Sequence, residues 1–174
     1  MSMRPRFTHL LLSGAFTALL VSGCADAPPI SADVEGDLAA TAVARACESR
    51  SCDAQTIYVH SRLFSNETEP SEEVEMPEET RMAIEEQLGD VEFVDQRQAN
   101  ALFGEDFLVD GGKGVLISVG PVEDLASDVV GIEIGVVTAR DGGHGELFQF
   151  QWAGEEWNPA TSDDTGIPSR FWVS

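Results

Sequence analysis

The chain has 174 residues, room for one domain of ordinary size with appendages. Its 10 Lys+Arg stand against 31 Asp+Glu, a formal net charge of −21, which excludes a nucleic-acid binder of the usual kind, because a phosphate backbone is held by clustered cations. Hydrophobic residues make up 43% of the chain, enough for a packed core, so global disorder is excluded as well.

In chain order, the first 23 residues read as an export signal. Arg4 and Arg6 form a short basic segment, and Leu10 to Val21 is apolar apart from Ser13 and Thr17. That run is shorter than the roughly 20 apolar residues a spanning helix needs. It ends in Val21-Ser22-Gly23-Cys24, an aliphatic residue, two small residues and a cysteine. With the apolar run before it, this segment resembles the lipobox signal of bacterial lipoproteins. The resemblance implies a lipid on the Cys24 thiol, cleavage before Cys24, and acylation (palmitate) of the new amino terminus. It also implies an extracytoplasmic protein held to the cell membrane or outer membrane. Ala25 stands where an Asp would retain such a protein at the inner membrane of a diderm host; in a monoderm host the question does not arise.

Losing Arg4 and Arg6 leaves 8 cations against 31 acids, so the mature chain of 151 residues has a net charge of −23. Several acyl chains hold where one is marginal, at about 0.8 kcal/mol per buried CH₂. A domain this anionic is repelled by the anionic lipid surface below it, so a spacer is expected. Residues 24–36, with the small, polar, proline-containing run ADAPPISADVEG, have that composition.

The mature chain keeps Cys47 and Cys52, spaced C-x4-C. In an oxidising compartment they most simply form a disulfide, whose small loop would contribute about 2 kcal/mol. Free or intermolecular thiols, or a metal or redox pair, are the alternatives; a structural zinc needs about four ligands and redox pairs usually read C-x-x-C.

Residues 37–174 read as a single α+β domain: an antiparallel sheet of about five strands with two or three helices packed on one face. Asp37 to Glu48 is a helix capped by Asp37. Thr56 to Phe64 alternates as a strand, and Ser65 to Glu75 is an acidic loop. Pro77 to Leu88 is a helix with Pro at its start, acids in its first turn, a stripe of Ile84 and Leu88 helped by Met82, and Gly89 after its end. Val91 to Val94 is a strand, and Asp95 with Gln98 opens a short helix to Phe103 as a capping box. Further strands follow at Gly114 to Gly120, Val129 to Arg140, Glu146 to Trp152 and Arg170 to Val173, with a glycine-rich turn over 141–145. Val130, Ile132, Ile134 and Val136 share one face of the longest strand; Gly131, Glu133, Gly135 and Val137 share the other.

Catalytic signatures are absent from the sequence: no G-x-S-x-G, no phosphate-loop pattern, no H-E-x-x-H, no S-x-x-K. Gly111-Gly112-Lys113-Gly114 lacks phosphate-loop spacing and precedes a strand. His60, flanked by Tyr58 and Arg62, is a general acid–base candidate or a surface histidine. His144 between Asp141 and Glu146 is a candidate metal loop, against the plainer reading of a polar turn. Trp152, Trp157 and Trp172, with Phe148, Phe150 and Phe171, read as core or as an exposed aromatic binding surface. The expectation is a non-enzymatic envelope lipoprotein that binds an envelope protein or a small ligand, without catalytic residues, metal or cofactor. The alternative is a small extracytoplasmic hydrolase or metal-dependent enzyme using His60 or His144 with a carboxylate.

Overall fold

The first helix, α1 (Ala32–Arg50), begins inside the expected spacer. The structure, a computed structural model, describes residues 27–50, 52, 55–64 and 74–173; the export signal, Cys24, Ala25 and most of the acidic loop lie outside them. The Val34 N–H donates to Ser31 Oγ at 3.5 Å, and Asp33 and Glu35 sit at the positive end of the helix dipole. The cap is therefore Ser31, not Asp37. Gly36, read as a spacer residue, is buried: a Cβ there would lie 3.1 Å from the Glu79 carbonyl oxygen of the second helix. The small-residue run Gly36, Ala39, Ala40 and Val43 lets the two helices close up.

That second helix, α2 (Glu78–Leu88), starts after Pro77 and ends at Gly89 with φ +81°, as its sequence signals require. Its buried residues are Thr80 and Ile84, with Ala83 and Leu88 partly covered. Met82 is 61% exposed and takes no part in the stripe.

The sheet is mixed and mostly antiparallel; among the described residues it has eight strands instead of about five, and the fold has four helices. Its main path runs β2 (Val74–Glu75), β1 (Thr56–Leu63), β4 (Gly114–Ala126), β5 (Val129–Ala139), β6 (Gly142–Trp152), β7 (Trp157–Ala160). β3 (Val91–Val94) lies beside β1, parallel to it, and β8 (Phe171–Val173) lies antiparallel to β6. β1 also pairs in parallel with β4, an adjacency no local pattern announces. β4 runs six residues past its expected end because Pro121 falls in a bulge between Val119 and Val122, where a missing N–H is tolerated.

Strand alternation sorts the residues onto two faces. Val59, Ile117, Val119, Ile132, Ile134, Val136, Phe148 and Phe150 pack under α1 and α2 in the main core. Tyr58, Leu116 and Val137 point the other way. There they meet Val94, Val109 and α3 (Gln96–Ala101), which forms a second, smaller core. Not all helices share one face, then. The α3 capping box is present as expected: the Gln98 N–H donates to Asp95 Oδ1 at 2.7 Å, and the Asp95 N–H donates to Gln98 Oε1 at 2.8 Å. A short 3-10 turn at Asp110–Gly112 then leads into β4, where Gly114 packs on the Tyr58 ring.

Candidate functional site: a groove on the sheet face opposite α1 and α2

The face of the sheet opposite α1 and α2 is covered at both ends and open between them. At one end lie α3 and the loop through Val109. At the other lies a carboxy-terminal arm, which enters through a short capped helix, α4 (Ser162–Thr165), and ends in β8. The intervening groove encloses about 210 Å³. Its floor is Leu116, Ser118, Gly120 and Gly135; its walls are His60 and Phe64 from β1 and its end, Glu133 and Val137 from β5, and Trp172 from β8.

Three side chains on the sheet fasten the arm. Gln149 is buried; its Nε2 donates to the Ile167 carbonyl at 3.1 Å, and its Oε1 accepts from Thr165 Oγ1 at 2.5 Å. A buried amide satisfied on both ends by the arm makes the attachment specific. Glu123 pairs with Arg170 at 2.9 Å. Glu133 accepts a hydrogen bond from the Trp172 indole N–H.

Glycines set where the indole lies. A Cβ on Gly145 would collide with Trp172 Nε1, and one on Gly135 would collide with Ser118 Oγ and sit 3.0 Å from Trp172 Cζ2. The indole therefore rests on bare backbone of β5 and β6, which only glycine allows. On the opposite wall the His60 ring meets Phe64 edge-on, with centroids 4.6 Å apart. His60 itself is buried.

The candidates from sequence scatter. Trp172 is in the groove. Trp152 and Trp157 contact each other at 5.6 Å on the other side of the sheet, where Trp157 packs against the main core. The three tryptophans thus do not form one surface, because Trp152 alternates with Phe148 and Phe150 toward the helices while β8 lays Trp172 over Gly145. His144 is in strand β6, opposite Val136 and Val173, and not in a turn. It alternates onto the helix-side face with Glu146, away from the groove. Among the described residues no three His, Cys, Asp or Glu gather as a metal site, so the loop around Asp141, His144 and Glu146 does not form one. Cys47 and Cys52 are both buried and stand 2.8 Å apart, against about 2.05 Å for a disulfide bond, so the expected disulfide is not present and the two sulfurs are close neighbours. Phe64, Ser118, Glu133 and Gly135 went unnoticed as site residues. Their signal was Gly131, Gly135, Gly143 and Gly145 spaced by two and four on one face of paired strands.

Burial pushes the Tyr58 phenol above its ordinary pKa, and the Asp110 and Glu92 carboxylates push it the same way. Hydrogen bonds from Thr161 hold the Asp164 carboxyl below its usual range. No helix among the described residues is long and apolar enough to cross a membrane. Comparison of the chain with family models, curated proteins and solved structures gives no match.

Proposed function

We propose that this chain is a lipid-anchored extracytoplasmic protein that binds a small ligand in the groove between β1, β5 and β8. The observation that carries the binding role is the groove itself: an aromatic wall, a carboxylate, a hydroxyl and an imidazole converge over a glycine floor. The address rests on the resemblance of residues 1–24 to a lipoprotein signal. The described chain starts beside the β4–β5 turn, where residues 27–30 border Trp157, so a tether leaves from the end of the sheet and not from the groove.

Two-dimensional NMR of the mature chain with a set of small polar and aromatic compounds tests the binding role. Shifts clustering on Phe64, Ser118, Gly135 and the Trp172 indole N–H are expected. Shifts centred on Trp152 and Trp157, or none, would overturn it. A second reading, a hydrolase using His60 with a carboxylate, draws on one fact, that His60 and Glu133 border the same groove. It requires that ester or amide compounds bound there turn over and that His60→Ala stops the turnover. The binding reading expects them to be recovered intact.

A further inference from the structure

We infer that the outer edge of β8 takes an extended segment of a basic polypeptide as an added strand. The main chain is the first observation. The Leu147 N–H donates to the Arg170 carbonyl at 3.1 Å, so Arg170 and, two residues on, Trp172 turn their main-chain groups toward β6. Phe171 and Val173 turn theirs the other way, and among the described residues β8 pairs with β6 alone. Donors and acceptors are left open along that edge. The second observation is the side chains. Phe171 is 66% and Val173 86% exposed, and alternation puts both on the face opposite Trp172. The third is the contrast with the other edges. β7 carries Pro159, β2 ends in Glu75 and β3 carries the exposed Glu92, each a residue that discourages pairing. Phe171-Trp172-Val173 has neither proline nor charge.

Charge and area decide the occupant. Glu146 lies directly opposite Phe171, on the same face, and makes no ion pair among the described residues. A lysine or arginine on the added strand can lay its methylenes on the Phe171 ring and bring its head group toward that carboxylate. Apolar residues alternating with it fall on the other face, beside Trp172. The net charge of −21 draws a cationic segment in and repels an acidic one. A second copy fits worse. It meets that charge with its own, and two exposed side chains per copy are a small patch beside the roughly 1,200 Å² that a stable dimer buries. An added strand gains affinity from main-chain hydrogen bonds, which a side-chain patch of this size lacks.

The test uses heptapeptide probes on the mature chain in about 0.15 M salt, which screens long-range attraction. By NMR, a peptide of alternating lysine and valine should shift the Phe171 and Val173 amide protons downfield and slow their exchange. The same peptide with the main-chain nitrogens of its lysines methylated keeps the charge and loses those donors, so it should bind at least about tenfold more weakly. The glutamate–valine counterpart should not bind. Val173→Pro removes an N–H that makes no bond among the described residues, so it should abolish binding with the melting temperature unchanged. Phe171→Lys leaves the main chain intact and repels the cationic peptide, so it should weaken binding about tenfold. Equal binding of the methylated peptide, binding of the glutamate peptide, shifts centred away from β8, or unchanged affinity in both variants overturns the inference. So does a dimer in sedimentation without peptide whose contacts fall on Phe171 and Val173, which would give the edge to a second copy.

Discussion

At the scale of single residues, the groove depends on places where a side chain is missing. Gly145→Ala puts a methyl where the Trp172 indole lies. The expected result is displacement of the ring into water: a red-shifted emission, loss of compounds bound in the groove, and a stability cost of about 1–3 kcal/mol by denaturant titration. An unshifted emission would mean that the indole does not rest there. Tyr58 gives a second prediction. It is the chain's single tyrosine, so phenolate absorbance reports it without ambiguity. Its folded pKa lies above the unfolded value of about 10. Between the two values the folded protein holds a proton that the unfolded chain has released. Stability therefore is intact below about pH 10 and falls as pH rises toward the folded pKa. In Tyr58→Phe this alkaline loss should shrink, as read from melting temperatures at pH 8 and at pH 10 to 11; an unchanged loss would contradict the assignment.

At the scale of elements, local chemistry was legible and partnership was not. The α3 capping box, the Pro77 and Gly89 punctuation of α2, and the apolar face of β5 all stand where their residues indicate. The start of α1 was missed because Gly36 and the alanines after it look like spacer composition. They are the small residues a helix needs to lie against another backbone. Gly36→Leu should therefore force α1 from α2 and lower stability by about 1–3 kcal/mol, whereas Asp37→Ala, at an exposed helix position, should change it by less than about 0.5 kcal/mol. If Asp37 were the cap, the second variant would instead lose about 1 kcal/mol. The groove was hidden for a related reason. Alternation tells which residues of one strand share a face, but not that β1 lies parallel beside β4, nor that β8 folds back onto β6. Grouping Trp152, Trp157 and Trp172 by nearness in sequence therefore joined two sides of the sheet. The arm is tied by Gln149, so Gln149→Leu should free 161–173 first. Amide exchange there should quicken while Ile117, Ile134 and Phe150 stay protected.

At the scale of the whole molecule, two layers differ. Helices α1 and α2 and the inner face of the sheet hold the main core, and the outer face carries a groove between α3 and the arm, where the proposed ligand would bind. The anchor proposal has its own check. Intact mass of native protein should start at Cys24 and carry the added mass of acyl chains. Unmodified protein with its leader attached would place it elsewhere. The claim that the outer face binds is tested most directly by pairing two variants in one NMR screen. Trp172 belongs to neither packed core, so Trp172→Ala should fold as the native chain does and lose the bound compounds, while Trp157→Ala, on the helix side, should keep them. Binding retained by Trp172→Ala and lost by Trp157→Ala would put the site on the opposite side of the sheet and contradict the account.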